Sequence, residues 1–86
     1  PVYQLRYKKS ALKGMARIPL AERQKMENAL QRLAENPDER SFDVKQLQGR
    51  DGYRLRLGKW RAIFHRDDNA LIILVVEAGP RGGIYK

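Results

Sequence analysis

The first 36 residues contain one alternating segment followed by two segments of helical period. Residues 2–7 alternate between aromatic or leucine side chains and other side chains, which is typical of a β-strand. Residues 8–17 change to a helical period and end before Pro19, because proline disfavours helix in the residue that precedes it. Residues 20–36 carry four apolar residues at helical spacing: Met26, Ala29, Leu30 and Leu33. The short break between the helices predicts a helical hairpin.

The second half of the chain predicts a loop of mixed charge, three short strands and a flexible tail. We expect the loop over residues 37–51 and the glycine-rich tail over residues 78–83. Between them the pattern predicts strands at residues 53–57, 60–65 and 70–76. The element order is therefore β-α-α-β-β-β. It predicts an α+β fold, with an antiparallel or mixed four-stranded sheet and the helical hairpin on one face.

Residues 53–64 have the pattern of a β-hairpin with two different faces. Gly58-Lys59 separates two alternating segments, and a two-residue loop with glycine first favours a type II′ turn. Such a loop places Arg56 opposite Arg61. One face is then apolar: Tyr53, Leu55, Leu57, Trp60, Ala62 and Phe64. The other face, called the arginine face below, consists of Arg54, Arg56, Arg61 and Ile63.

The arginine face predicts a surface that binds an anion. Like charges directly opposite each other are unfavourable by ~0.2–1 kcal/mol per pair, and these four positions include no acid. Guanidinium groups match phosphate oxygens with two parallel hydrogen bonds. We therefore expect the face to bind RNA phosphate. The alternatives are a solvated basic face and a face paired with acids from elsewhere in the fold.

The last predicted strand is apolar on both faces, as in a strand covered on both sides. Residues 71–76 read Leu-Ile-Ile-Leu-Val-Val. One side of this strand meets the helical hairpin. The other side needs a cover of its own, which the tail or a partner laid across the sheet would supply.

Composition narrows the class of protein further. A chain of 86 residues is expected to form a single domain, residues 1–86, and its net charge of +8 favours polyanionic partners. The absence of cysteine excludes disulfides and thiolate chemistry. The longest apolar run, residues 70–76, is too short to span a bilayer, and the N-terminus shows no signal-peptide core. We expect a cytoplasmic protein with no membrane partner.

The candidate catalytic groups are few. His65 is the single histidine and is expected to be a surface residue, and the scattered acids indicate neither a metal site nor a cofactor. Arginine and lysine can hold a scissile phosphate, and Tyr85 can stack on a base. These groups suit RNA cleavage with the 2′-OH of the substrate as nucleophile. Arginine stays protonated, so the candidates for a general base are Lys45 and Lys59.

Several segments, taken in order, are similar to the RelE/ParE toxin superfamily. They follow a strand and a helical hairpin, and they read DVKQLQG (43–49), GYRLRLG (52–58), WRAIF (60–64) and GPRGGIY (79–85). The resemblance covers nearly the whole chain. It implies a toxin of a type II toxin–antitoxin system that an antitoxin neutralises by wrapping around it. In the RelE branch it further implies an endoribonuclease that cuts mRNA in the A site of the 30S subunit.

The resemblance also implies roles for particular residues. The RelE pattern has two basic residues on the first hairpin strand, an arginine on the next strand, and an arginine and a tyrosine in the tail. The implied catalytic residues here are Arg56, Arg61, Arg81 and Tyr85. The implied RNA-binding residues are Arg54, Lys45 and Lys59. RelE toxins commonly carry lysines on the first hairpin strand, whereas this chain has arginines at both positions.

Two other functions are open at this point. A ParE-like toxin would share the fold but inhibit DNA gyrase without cleaving RNA, and it need not keep the phosphate-binding arginines. A basic adaptor domain would have no toxicity at all. The arginine face favours the RNA hypothesis over both.

Overall fold

The computed structural model describes residues 2–80, which form two helices and five strands. In chain order the elements are β1 (Gln4–Tyr7), α1 (Lys9–Ala16), α2 (Leu20–Glu35), β2 (Asp43–Gln46), β3 (Tyr53–Leu57), β4 (Trp60–Asp67) and β5 (Ile72–Pro80). The predicted α+β class and the order of its elements are confirmed. The sheet has one strand more than predicted, because β2 lies inside the segment expected to be a loop.

The five strands form one mixed sheet in the order β1-β5-β4-β3-β2. The first strand pairs in parallel with the last, and all other neighbours are antiparallel. Parallel partners need a crossover connection, which here contains both helices and the three strands between them. The strand β5 therefore lies between β1 and β4, and β4 is the middle strand of the sheet.

Both helices pack against the same face of the sheet. Their buried residues share one core with Leu55, Phe64 and Val75 from the sheet. The helix α1 lies on β5, where Ser10 Oγ donates a hydrogen bond to the backbone oxygen of Val76 (2.7 Å). The helix α2 packs through its predicted apolar face, which is buried at Met26, Ala29, Leu30, Leu33 and Ala34. Neither helix is long and apolar enough to cross a membrane.

The strand β5 is longer than predicted and contains an irregularity. It continues through Pro80, so residues 78–80 of the expected flexible tail belong to the sheet. Ile63 pairs with Glu77 and Phe64 with Val75, so Val76 is an extra residue in the ladder. Because of this bulge, Val75 lies against the helices while Glu77 lies on the arginine face.

A cluster of polar side chains ties the start of the chain to the β4–β5 turn. Tyr3 donates its hydroxyl hydrogen to Asp68 Oδ1 (2.9 Å), and Arg66 Nε donates to the same oxygen (2.9 Å). Arg66 also contacts Asp38 in the α2–β2 loop (3.2 Å). The Arg66 guanidinium and the Tyr3 hydroxyl together lower the pKa of the Asp68 carboxyl. The cluster fixes the edge of the sheet next to β1.

Candidate nucleic-acid interface

The β3–β4 hairpin has the predicted register. Leu57 pairs with Trp60 and Arg56 with Arg61, so the loop consists of Gly58 and Lys59 alone. Gly58 has a φ of 59°, whereas Lys59 does not have a positive φ. A positive φ at the first loop position only is the signature of a type II′ turn. The separation of an apolar face from the arginine face is therefore confirmed.

The arginine face lies on the side of the sheet opposite the helices. Leu55, Ala62 and Phe64 enter the core, so their neighbours along the strands point the other way. Arg54 and Arg56 are half-buried, and Arg61 is only 5% exposed. The three guanidinium groups therefore differ in access, with Arg54 and Arg56 more open to a ligand than Arg61.

The unpredicted strand β2 adds an acid to this face. Asp43 lies directly opposite Arg56, and its Oδ2 accepts a hydrogen bond from Arg56 Nε at 3.0 Å. This bond, together with the charges of Lys45 and Arg54, lowers the pKa of the Asp43 carboxyl. The alternative of acids from elsewhere in the fold is thus correct for Arg56.

The same strand adds a lysine. Lys45 lies directly opposite Arg54 and therefore on the arginine face, and it is exposed. Directly opposite residues in an antiparallel pair have Cβ atoms about 4.5–5.5 Å apart. The structure thus brings Lys45, Arg54 and Arg56 together at the β2–β3 edge of the sheet.

A second acid reaches the arginine face from β5. Glu77 lies directly opposite Ile63, and its Oε1 is 3.4 Å from Nη2 of Arg50 in the β2–β3 loop. The ion pair joins that loop to β5 on the far side of β3 and β4. Ile63 is fully buried although it lies on this face. The face is therefore a partly covered surface, not a flat solvated one.

Lys59 does not join the arginines. It lies at the hairpin turn and lines a groove of about 290 Å³ with Trp60 and two residues of α2, Glu22 and Lys25. Trp60 belongs to the apolar face of the hairpin, on the helix side of the sheet. The role of Lys59 in RNA binding stays a prediction.

His65 is exposed and lies on the arginine face, but at its far end. It lines a second groove, together with Arg6, Ile72 and Leu74. Ile72 and Leu74 lie on the face of β5 that points away from the helices. The sequence predicted that the tail or a partner would cover this face. Within residues 2–80 no three potential ligands among His, Cys, Asp and Glu lie close enough to hold a metal ion.

Two predicted site residues, Arg81 and Tyr85, lie outside the described residues. The described part of β5 ends beside the arginine face, where Gly79 pairs with Arg61 and Pro80 with Trp60. The roles of Arg81 and Tyr85 stay predictions.

Sequence reasoning missed three residues of this face: Asp43, Arg50 and Glu77. Phe42 and Val44 alternate with polar residues and pack against the core, which was a weak signal for β2. Glu77 carried no signal, because the bulge that turns it toward the arginines depends on the pairing of β4 with β5.

Chemically, this arrangement can bind and orient a phosphodiester. The fork-shaped donors of Arg54 and Arg56 suit phosphate oxygens, and the mostly buried Arg61 adds positive charge beneath them. Asp43 already holds one donor of Arg56, so a phosphate must share or replace that partner. The exposed Lys45 adds a compact ammonium group on a flexible four-carbon stem at the β2 edge of this group.

Sequence comparison identifies relatives over nearly the whole chain. The family model for the ParE toxin of the type II toxin–antitoxin system parDE matches residues 5–85. A curated protein of Methanocaldococcus jannaschii, toxin RelE1, is 32% identical over 80 residues, which are 91% of this chain and 89% of that protein.

Solved structures show the same fold. RelE in the archaeal RelE–RelB complex of Pyrococcus horikoshii is 29% identical, with a TM-score of 0.82 over 96% of this chain and 99% of that one. RelE of the Escherichia coli RelBE complex is 22% identical, with a TM-score of 0.77 over 92% and 96% of the two chains, which shows the fold alone. The chain thus belongs to the ParE toxin family of type II toxin–antitoxin systems, within the RelE/ParE toxin superfamily.

Proposed function

We propose that this toxin is a ribosome-dependent mRNA endonuclease that cleaves in the A site and inhibits translation. The observation that carries the proposal is the arginine face, on which Arg56 lies directly opposite Arg61 with Arg54 beside them. A toxin that only bound a protein would not need three guanidinium groups on one sheet face. An RNA phosphodiester needs this kind of positive, fork-shaped donor set.

In the proposed reaction the 2′-OH of the RNA attacks the adjacent phosphorus atom. Arg56 and Arg61 hold the scissile phosphate and stabilise the charge that develops on its oxygens. Arg54 and Lys45 bind and orient the RNA. Arg81 and Tyr85 complete the site by binding phosphate and stacking on the cut nucleotide, as the resemblance to RelE implies.

The proposal includes the surroundings of the toxin. In the Pyrococcus horikoshii and Methanocaldococcus jannaschii structures RelE is in complex with RelB. We infer that a cognate antitoxin neutralises this chain as well. We further propose that residues 1–86 act as a single toxin domain in the cytoplasm, where the ribosomes are.

Primer extension on cellular mRNA after toxin induction tests the activity. We expect codon-aligned cuts with the wild-type chain and a loss of about 10²–10³-fold in cleavage for Arg56→Ala or Arg61→Ala. In a growth assay, Arg81→Ala should abolish the growth inhibition that the induced toxin causes. Arg40→Ala is the matched control, because it removes one exposed guanidinium from the α2–β2 loop and not from a strand.

Because Arg61 is mostly buried, each variant is also checked for folding by its thermal melting curve. Full toxicity of folded Arg61→Ala and Arg81→Ala variants would contradict the site assignment.

A ParE-like toxin that inhibits DNA gyrase is the second candidate function. The observation in its favour is the matching family model, which describes a ParE toxin. Purified chain added to a gyrase supercoiling assay separates the two activities. Inhibition of supercoiling together with intact mRNA would replace the nuclease proposal.

A further inference from the structure

Cleavage by the 2′-OH needs a group that accepts its proton, and the arginines of the face cannot serve. Arginine stays protonated at any ordinary pH, so Arg54, Arg56 and Arg61 can bind and stabilise but cannot act as a base. The identity of the base therefore follows from which other groups the fold brings to the same face. This inference rests on the proposed nuclease function.

Within residues 2–80, and leaving aside Asp67 at the distal end of β4, four side chains with a removable or acceptable proton share the face with the arginines. They are Asp43 and Lys45 on β2, His65 on β4 and Glu77 on β5. Their positions relative to Arg56 and Arg61 differ. So do their partners and their access to a substrate.

The two acids already have arginine partners, which makes each of them a weaker candidate for the base. Asp43 accepts the hydrogen bond of Arg56 at 3.0 Å, and this bond lowers the pKa of the Asp43 carboxyl and makes it a weaker base. Glu77 Oε1 contacts Arg50, and its Oε2 is buried from solvent. A carboxylate in either place would also repel the phosphate that the arginines attract.

His65 is accessible but distant. It lies four residues beyond Arg61 on the same strand, which is about 13 Å at ~3.3 Å per residue. General acid–base catalysis needs direct hydrogen-bond reach or one bridging water. His65 therefore lies beyond the reach of a 2′-OH whose phosphate is held between Arg56 and Arg61.

Lys45 is both accessible to a substrate and close to the arginines. It is exposed, directly opposite Arg54, and diagonal to Arg56, a neighbour distance of about 7–8 Å between Cα atoms. Its flexible four-carbon stem can carry Nζ over that distance to a phosphodiester on the two arginines. The position exists only because β2 forms, since the strand turns Lys45 to the same face as the arginines.

We propose that Lys45 is the general base of the cleavage reaction. In its neutral form Nζ takes the proton of the 2′-OH, and O2′ forms a bond to phosphorus while the bond from phosphorus to the 5′-oxygen breaks. The products are a 2′,3′-cyclic phosphate and a 5′-alkoxide. The alkoxide takes a proton from a water molecule, and the resulting hydroxide removes the proton from Nζ, which returns Lys45 to its starting state.

Single-turnover cleavage of mRNA in the A site of a stalled ribosome complex, measured over about pH 6 to 9, tests this role. We expect the wild-type rate to rise with pH, as general-base catalysis requires, and Lys45→Ala to be 10²–10⁴-fold slower without that rise. Lys45→Arg should be equally slow, because it keeps the charge but supplies no base. Lys13→Ala, which removes one exposed lysine from α1 on the helix side of the sheet, is the matched control and should retain the wild-type rate and profile.

Two further measurements test whether Lys45 acts as a base, and not only as a binding residue or as the acid that protonates the leaving group. Added methylamine should restore cleavage by Lys45→Ala and leave Lys45→Arg unchanged, since only the alanine leaves space for the amine. A substrate with sulfur at the 5′-bridging position needs no proton on its leaving group, so the Lys45→Ala defect should persist with it. A defect that disappears with this substrate would assign Lys45 to the leaving group and overturn its role as base.

The outcomes distinguish this inference from the function on which it rests. If the wild-type chain does not cleave mRNA on the ribosome, the proposed function fails. If the wild-type chain cleaves and Lys45→Ala or Lys45→Arg cleaves equally fast with the same pH profile, Lys45 is not the base and the nuclease function stands.

Discussion

Gly14 is the position at which a single methyl group should have the largest effect on this fold. In most helices a Gly→Ala substitution stabilises, by about 1 kcal/mol, because alanine is the better helix former. Here α1 lies directly on β5, and a Cβ atom at Gly14 would overlap the backbone oxygen of Ala78 and lie 2.9 Å from its carbonyl carbon. The obstacle is backbone, so no side-chain rotation can relieve it.

The size of the effect follows from the movement that the methyl group requires. To regain ordinary contact, α1 must move away from β5, and the buried side chains of Ala11 and Met15 must move with it. Overpacking of this kind costs about 1–3 kcal/mol, and the loosened contacts of a methionine and an alanine add to it. We expect Gly14→Ala to lower the free energy of unfolding by roughly 2–4 kcal/mol in spite of the gain in helix propensity.

Thermal unfolding followed by circular dichroism provides the measurement. For a domain of this size each kcal/mol shifts Tm by about 4–8 °C, so Tm should fall by at least about 8 °C. Lys13→Ala, at the neighbouring exposed position of α1, should stay within about 0.5 kcal/mol of wild type. A Gly14→Ala protein that melts at or above the wild-type temperature would refute the close approach of α1 to β5.

Two further expectations concern the acids that contact arginines. Asp43→Asn removes the carboxylate partner of Arg56, so single-stranded RNA should bind more tightly. The slope of log affinity against log salt concentration should become steeper by up to about 0.7. Fluorescence anisotropy at several salt concentrations measures both effects, and unchanged affinity would contradict the assigned ion pair. The lowered pKa of Asp68 means that its ionised form stabilises the fold above the unfolded pKa of about 3.9, and that this stability is lost as the pH falls through the lower folded value. Urea unfolding of wild type and Asp68→Asn should therefore differ most near neutral pH and converge in acid, whereas a constant difference would contradict the assigned contacts.

The parts of the fold that could be predicted from the sequence are those specified by local patterns. The register of the β3–β4 hairpin follows from two residues, Gly58 and Lys59, because a one-residue slip would turn its arginines into the core. The helix α2 follows from its apolar spacing and from the prolines that flank it. In both cases the neighbours along the chain carry enough information to decide the structure.

The missed features depend on contacts between distant segments. The strand β2 has four residues, three of them polar, and it forms because β3 offers it an edge to pair with. The parallel pairing of β1 with β5 joins residues 68 positions apart, from Gln4 to Ile72. The groove between the hairpin tip and α2 was also missed, because sequence spacing does not show that α2 lies beside Lys59.

The position of β5 between β1 and β4 has a consequence for the folding of the toxin during its synthesis. During synthesis β1 and α1 leave the ribosome well before residues 72–80, yet β5 is the strand on which both of them lie. Contacts so distant in sequence form late and slowly. A chain without β5 lacks the strand that joins the arginine hairpin to β1 and α1. The sheet that joins the arginine hairpin to β1 and α1 therefore forms only after residues 72–80 have been synthesised.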